Sequence, residues 1–225
     1  RNAALTHIGK AGIERYYEDR LRGEIGYEEV ETNVEGRALG VVRRQPATPG
    51  TDLRLTVDAR LQQAMVDAFE GQHGAAIAID PRNGEILGMV SLPSYDPNLF
   101  INGISHPDWQ ALQAPSRPLF NRNVLGGAPP GSTIKPFMAL AALEAGIRTP
   151  EYETLSTGEF FLPGQPRGYR DWRPGGHGRV NLSESLAQSV NTYYFELAVE
   201  LGVDRIDPFF ERLGFGRPTG IDLAG

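Results

Sequence analysis

The sequence predicts an α+β fold, and three stretches carry that prediction. The apolar runs Ala75–Ile79 and Ile86–Val90 flank Asp80-Pro81-Arg82-Asn83-Gly84, whose proline and Asn-Gly pair mark the turn of an antiparallel β-hairpin. Phe137–Ala145 is an apolar helical run closed by Gly146. Thr192–Leu201 is an amphipathic helical run closed by Gly202.

The remaining elements follow in chain order. Residues 5–24 read as a short polar helix stopped by Gly23. Tyr27–Val34 and Arg37–Arg43 alternate as two strands joined around Glu35-Gly36. Gln45-Pro46-Ala47-Thr48-Pro49-Gly50 is a Pro/Gly connector, and a domain boundary there gives segments 1–48 and 49–225. The first segment is too short for a core of its own and is expected to dock on something larger. Leu53–Val57 is predicted as a strand, and Asp58 as the cap of a helix running to about Phe69. Residues 92–131, rich in Pro, Asn and Gly, and residues 148–181 read as loops, the first with one short helix at 107–113. Irregular stretches of that length in a compact domain usually cover a site. Further helices are predicted over Ser183–Gln188 and over 204–213, the latter ending at Gly214.

Bulk properties narrow the function. With 225 residues, 40% of them hydrophobic, the chain can bury a real core. A net charge of −6, with arginine spread along the chain rather than clustered, argues against nucleic acid as the partner. The absence of cysteine removes disulfides, thiol catalysis and Cys-based metal sites. No run approaches the ~18 apolar residues of a membrane span. The chain opens on Arg1 rather than Met, and an upstream part, with room for a membrane anchor, is expected ahead of it.

Chemistry concentrates at Pro130-Gly131-Ser132-Thr133-Ile134-Lys135-Pro136. Ser132 and Lys135 are nearly one helical turn apart and would share a face. Pro136 belongs in a first helical turn, which puts the helix start near Ser132. Positive potential at that helix end favours an alkoxide-like oxygen on Ser132, and an apolar surround favours a neutral Lys135 able to accept its proton. Composition sharpens the point: of 22 basic residues only Lys10 and Lys135 are lysine. Arginine cannot serve as a base, whereas a desolvated lysine can. A capping serine beside a solvated lysine is the plain alternative, and S-x-x-K alone is too short to decide.

A second constellation, Ser189-Val190-Asn191, lies between two predicted helices. Its hydroxyl can relay a proton, and its amide can hold a substrate carbonyl or position a lysine. Capping of the following helix is the alternative. The histidines are His7, His73, His106 and His177, no two at ligand spacing; Asp171 and His177 can approach each other, but no metal and no cofactor is expected.

Together these residues resemble the penicillin-binding transpeptidases, which share S-x-x-K, S-x-N and K-T-G elements with the serine β-lactamases. The first element stands as Ser132-Thr133-Ile134-Lys135 and the second as Ser189-Val190-Asn191, 57 residues on. Gly9-Lys10-Ala11-Gly12-Ile13-Glu14, Asp80-Pro81-Arg82-Asn83-Gly84-Glu85 and Thr219-Gly220-Ile221-Asp222-Leu223 are similar to class B, monofunctional members. Ser94-Tyr95-Asp96-Pro97-Asn98-Leu99-Phe100 and Tyr169-Arg170-Asp171-Trp172 with Gly176-His177-Gly178 resemble the elongation-specific members of Gram-negative bacteria. The resemblance covers nearly the whole chain. With only Lys10 and Lys135 available, no K-T-G is present, and that element is expected after Gly225.

The resemblance implies an antiparallel sheet flanked by helices, with 1–48 as the end of a membrane-proximal pedestal and 49–225 as the N-terminal part of the transpeptidase domain. It implies catalysis by Ser132, Lys135, Ser189 and Asn191 on peptidoglycan stem peptides ending in D-Ala-D-Ala, with β-lactams acylating Ser132. A chain without the third element would lack one oxyanion donor and act poorly by itself. A glycosyltransferase of the SEDS type is the implied membrane partner. The implied location is the periplasmic side of the inner membrane, held by one N-terminal anchor outside this chain. Some family members are thought to carry a metal near the Asp171–His177 loop. A sensor that binds β-lactam or cell-wall peptide without turnover is the competing reading. A β-lactamase-type hydrolase is a third, for which no water-activating carboxylate can be placed.

Overall fold

In the computed structural model, whose described residues are 8–223, the polar stretch expected as one helix is two short ones. These are α1 (Gly12–Tyr16) and α2 (Glu18–Leu21), broken at Tyr17; residues 5–7 of the expected helix lie outside the described residues. Segments of four or five residues cannot sustain a helix alone, and tertiary bonds hold them. Gly9 N–H donates to the Glu18 carboxylate at 2.7 Å, and the Tyr17 hydroxyl donates to Asp222.

Next comes the expected strand pair, β1 (Tyr27–Thr32) antiparallel to β2 (Ala38–Gln45). Its turn is organised by Asn33, whose side-chain oxygen accepts from Glu35 and Arg37 N–H at 3.1 and 2.9 Å. Leu53–Val57 is not a strand, contrary to its β-rich composition. Only Thr56 Oγ1 to Ile86 O (2.7 Å) and Asp58 N–H to Leu87 O (2.9 Å) tie its C-terminal end to the neighbouring strand, which is too little for a ladder. Asp58 caps α3 (Ala59–Asp67) as expected, accepting from Arg60 and Leu61 N–H. The hairpin forms from β3 (Gly74–Ile79) and β4 (Ile86–Leu92). Gln62 of α3 clasps it, its amide pairing both backbone groups of Met89 at 2.7 and 2.8 Å. In the following loop, α4 (His106–Leu112) is capped by Ser105, one residue ahead of expectation.

These elements belong to one compact unit, residues 8–127 with 222–223; Ala128–Ile221 form the other. That second unit opens with a 3₁₀ turn, Gly131–Ile134, running into α5 (Lys135–Glu144). The segment 148–181, expected as loop, holds two small sheets. β5 (Thr154–Ser156) pairs with β8 (Gly178–Val180), and nested inside them β6 (Glu159–Phe161) pairs with β7 (Gly168–Arg170). Three-residue strands are too short to display a period of two, so nothing in the pattern announced them. At Gly176 (φ 78°) a side chain would meet Ser156 O at 2.1 Å, so this close crossing needs glycine. An Asn181–Glu184 capping box then starts α6 (Leu182–Ala187), and α7 (Asn191–Leu201) and α8 (Val203–Arg212) follow, joined by Gly202.

The α+β class holds, and among the described residues the strands pair two by two. The larger core lies in the second unit: Met138, Ala139 and Ala142 of α5 meet Tyr193, Leu197 and Leu201 of α7 and Phe209 of α8. Small residues on α5 allow close approach of α7, which matters for the site. Arg148 is buried beside this core and pairs with Glu196 and Glu200 at 3.1 and 2.9 Å. No helix among the described residues is long and apolar enough to cross a membrane.

Leu197 is fully buried where α7 meets that core. Leu197→Ala should lower unfolding stability by about 2–5 kcal/mol, read by denaturant unfolding. A loss below about 1 kcal/mol would mean that α7 does not carry the core as described.

Candidate active site

Gly131, at φ 56°, turns the chain into the 3₁₀ segment that bears Ser132. The α-helix itself starts at Lys135, three residues later than expected, with Pro136 in its first turn. The shift strengthens the pairing, because in a 3₁₀ turn residues i and i+3 are eclipsed. Ser132 is exposed, while Lys135 is only 7% exposed. A solvated lysine is therefore not what the fold builds.

Between α6 and α7 the chain turns at Ser189, which takes a left-handed conformation (φ 53°). Such a backbone is uncommon outside glycine and aims the side chain back across the turn. Lys135 Nζ donates to Ser189 O at 2.8 Å, to Ser189 Oγ at 3.0 Å and to Asn191 Oδ1 at 2.7 Å. The Ser189 hydroxyl in turn donates to Ser132 Oγ at 2.8 Å. All four predicted residues thus meet in one connected set. Neither Ser189 nor Asn191 caps α7, whose N-cap is Val190.

The hydrogen-bonded path from Ser132 to Lys135 runs through Ser189. Hydroxyls rotate freely and both donate and accept, so once Lys135 is neutral the chain can reverse. Ser132 then donates to Ser189, and Ser189 to the amine. Because an ammonium only donates, Asn191 must face Lys135 with its carbonyl oxygen, which leaves the amide NH₂ free for a substrate carbonyl. The backbone N–H of Ser132 lies in a first helical turn, where such groups lack intrahelical partners. It is a ready donor to an oxyanion formed beside Ser132.

Burial pushes the Lys135 amine below the ordinary lysine value, partly offset by the negative charge of Asp171. The Tyr194 ring lies 5.5 Å from Nζ and adds no charge, since burial holds its phenol above the usual range despite a bond from Ser185.

Sequence reasoning left Asp171 without a role beyond approaching His177. The two do meet, His177 Nε2 lying 3.3 Å from Asp171 Oδ1. Asp171 also accepts from Thr192 N–H and Oγ1 at 2.9 and 3.1 Å and from Trp172 N–H at 2.8 Å. Burial alone would raise this carboxyl, but those bonds outweigh it and hold it below the usual carboxylate range. One signal was available: α7 begins behind an apolar residue, Val190, so its N-terminus needed a cap from elsewhere. No group of three His, Asp or Glu forms among the described residues. The other side-chain oxygens beside the Asp171–His177 pair are the Gln188 amide oxygen, 3.1 Å from His177 Nδ1, and the Ser156 and Thr192 hydroxyls, 2.7 Å apart. Such a set does not fit a three- or four-ligand metal centre.

The chain is similar to known proteins. Residues 74–225 match the penicillin binding protein transpeptidase domain, and residues 3–55 the penicillin-binding protein dimerisation domain. The chain is 47% identical over 225 residues to the peptidoglycan D,D-transpeptidase MrdA of Escherichia coli K12, covering 99% of this chain and 36% of that protein. It is 44% identical to MrdA of Acinetobacter baumannii, covering 98% of this chain and 33% of that protein. Among solved structures it is similar to Pseudomonas aeruginosa PBP2 in complex with WCK 5153, with TM-score 0.81, 42% identity, and 96% of this chain and 45% of that chain covered. It is also similar to PBP2 of Helicobacter pylori in a complex with MreC, with TM-score 0.84, 32% identity, and 97% and 41% covered. The chain spans about a third of the length of its curated relatives.

If Lys135 is the base, Lys135→Arg should lower the rate of Ser132 acylation by a reactive acyl donor about 10²–10⁴-fold, although charge and approximate length are kept. In the unsubstituted protein that rate should fall with pH as Lys135 becomes protonated, along a limb centred below the ordinary lysine value of about 10.4. A rate within about tenfold after Lys135→Arg would make Lys135 an electrostatic partner only.

Proposed function

The chain belongs to the penicillin-binding protein transpeptidases, and from that membership we propose that it is the Ser132-bearing part of a peptidoglycan D,D-transpeptidase. Its fold is the α+β transpeptidase fold of that family. One observation carries the proposal: Ser132, Ser189, Lys135 and Asn191 form a single hydrogen-bonded set around an exposed hydroxyl.

Ser132 Oγ attacks the carbonyl carbon of the penultimate D-Ala of a stem peptide, its proton passing through Ser189 to Lys135. The carbonyl oxygen becomes an oxyanion, which the Ser132 N–H stabilises; one such donor is worth about 3 kcal/mol. Collapse breaks the C–N bond, and the terminal D-Ala amine leaves with the proton returned along the same path. Asn191, its carbonyl held by Lys135, turns its NH₂ towards the acyl group. The amine of a neighbouring strand then attacks the Ser132 ester, its proton passes to Lys135 and returns through Ser189 to Ser132 Oγ as that oxygen is displaced, and the new amide is the cross-link. β-Lactams present a comparable amide and acylate the same oxygen. Residues 1–48 form the end of the pedestal and 49–225 the N-terminal part of the catalytic domain.

The wider setting is proposed on the same ground. The protein works in cell elongation on the periplasmic side of the inner membrane, beside a SEDS-type glycosyltransferase. The complex between H. pylori PBP2 and MreC supports a second partner, similar to MreC.

Labelled penicillin tests the assignment in the full-length protein. Wild type should take up one label, and Ser132→Ala should take up none. Label retained on another serine would contradict it.

A further inference from the structure

We propose that Asp171 is a positioning residue for the acyl transfer, holding the Ser189–Asn191 turn in register with Ser132 and Lys135. The inference rests on the acyl-transfer reading above. It starts from the backbone of Ser189, whose left-handed conformation persists only where its neighbours enforce it.

Both sides of that residue are held by one segment, 171–177. On the C-terminal side, the Asp171 carboxylate accepts from Thr192 N–H and Oγ1, at 2.9 and 3.1 Å. Thr192 is the second residue of α7, and Asp171 acts as the cap that Val190 cannot provide. On the N-terminal side, Trp172 Nε1 donates to Gln188 O at 3.0 Å, and His177 Nδ1 lies 3.1 Å from Gln188 Oε1. Trp172 and His177 stand edge to face at 5.1 Å, and His177 returns to Asp171 through its other nitrogen. His177 N–H donates to Ser156 Oγ, which pairs with the Thr192 hydroxyl. The clasp therefore closes on Gln188 and Thr192, the residues that bracket the turn, and Asp171 is its hub.

A cap that only stabilises α7 would predict the same contacts, so the distinction lies in the chemistry. Asp171 and the neutral Tyr194 are the titratable groups that bear on Lys135. Removing the Asp171 charge takes away the influence that raises the Lys135 proton affinity, so the amine should stay neutral to lower pH.

The test is the pH dependence of penicillin acylation at Ser132 in the full-length protein, with each rate normalised to the fraction that can be labelled at saturation. Asp171→Asn, which keeps one acceptor for Thr192, should lower the plateau rate about tenfold, and Asp171→Ala about a hundredfold. In both, the acid limb should move to lower pH. Asn181→Ala, which removes the cap of α6, serves as the control: it should lower the melting temperature and leave rate and limb in place. If the Asp171 variants lose only melting temperature or labelled fraction, and the labelled fraction reacts at the wild-type rate with the wild-type limb, Asp171 is a structural cap and the proposal is overturned. Wild type that takes no label at Ser132 would overturn the acyl-transfer reading, and this inference with it.

Discussion

The placement of one amine governs the second unit of this protein. Lys135 is taken out of water at the head of α5 and must find acceptors inside the fold, because a buried ammonium without partners is costly. The acceptors come from a different part of the chain, Ser189 and Asn191, so the α6–α7 junction has to lie against the start of α5. Ala139 and Ala142 on α5 permit that approach, and the packing of Tyr193 and Leu197 fixes it. Core composition and chemistry are thus one constraint.

Burial and a nearby charge act on Lys135 in opposite senses. Desolvation favours the neutral amine, while the charge of Asp171 favours the ammonium. A group held between these influences can take a proton and give it back, which acyl transfer requires twice. The left-handed Ser189 fits the same logic, since strain at a reacting centre persists where the surroundings over-determine it.

Much of this was legible in the sequence, for physical reasons that differ by residue. The hairpin 74–92 was plain because proline and Asn-Gly fix a turn locally, and α3 because Asp58 is a cap with a single clear use. Ser132 and Lys135 stood out because the chain otherwise uses arginine. Ser189 and Asn191 could be paired with them through the family resemblance, which relatives matching 98–99% of the chain bear out. Leu53–Val57 misled, since β-propensity describes a surface that fits a sheet and cannot supply the neighbouring strand. The sheets of 154–180 were invisible because they are too short for periodicity, and the capping role of Asp171 was missed because Thr192, the residue it caps, is 21 residues away. A relaying hydroxyl at Ser189 could be read, but not the connected order Ser132–Ser189–Lys135, which depends on a 3₁₀ turn and a left-handed residue that no local pattern specifies.

The central claim is that Lys135 is a lysine poised to lose its proton. The chain has only one other lysine, Lys10, which is exposed, so ¹³C-lysine labelling gives two side-chain signals to follow by NMR as pH is raised. The account predicts that the Lys135 Cε signal titrates with a midpoint clearly below the ordinary lysine value of about 10.4, and that this signal is the one lost in Lys135→Arg. A Lys135 midpoint at or above that value would contradict it.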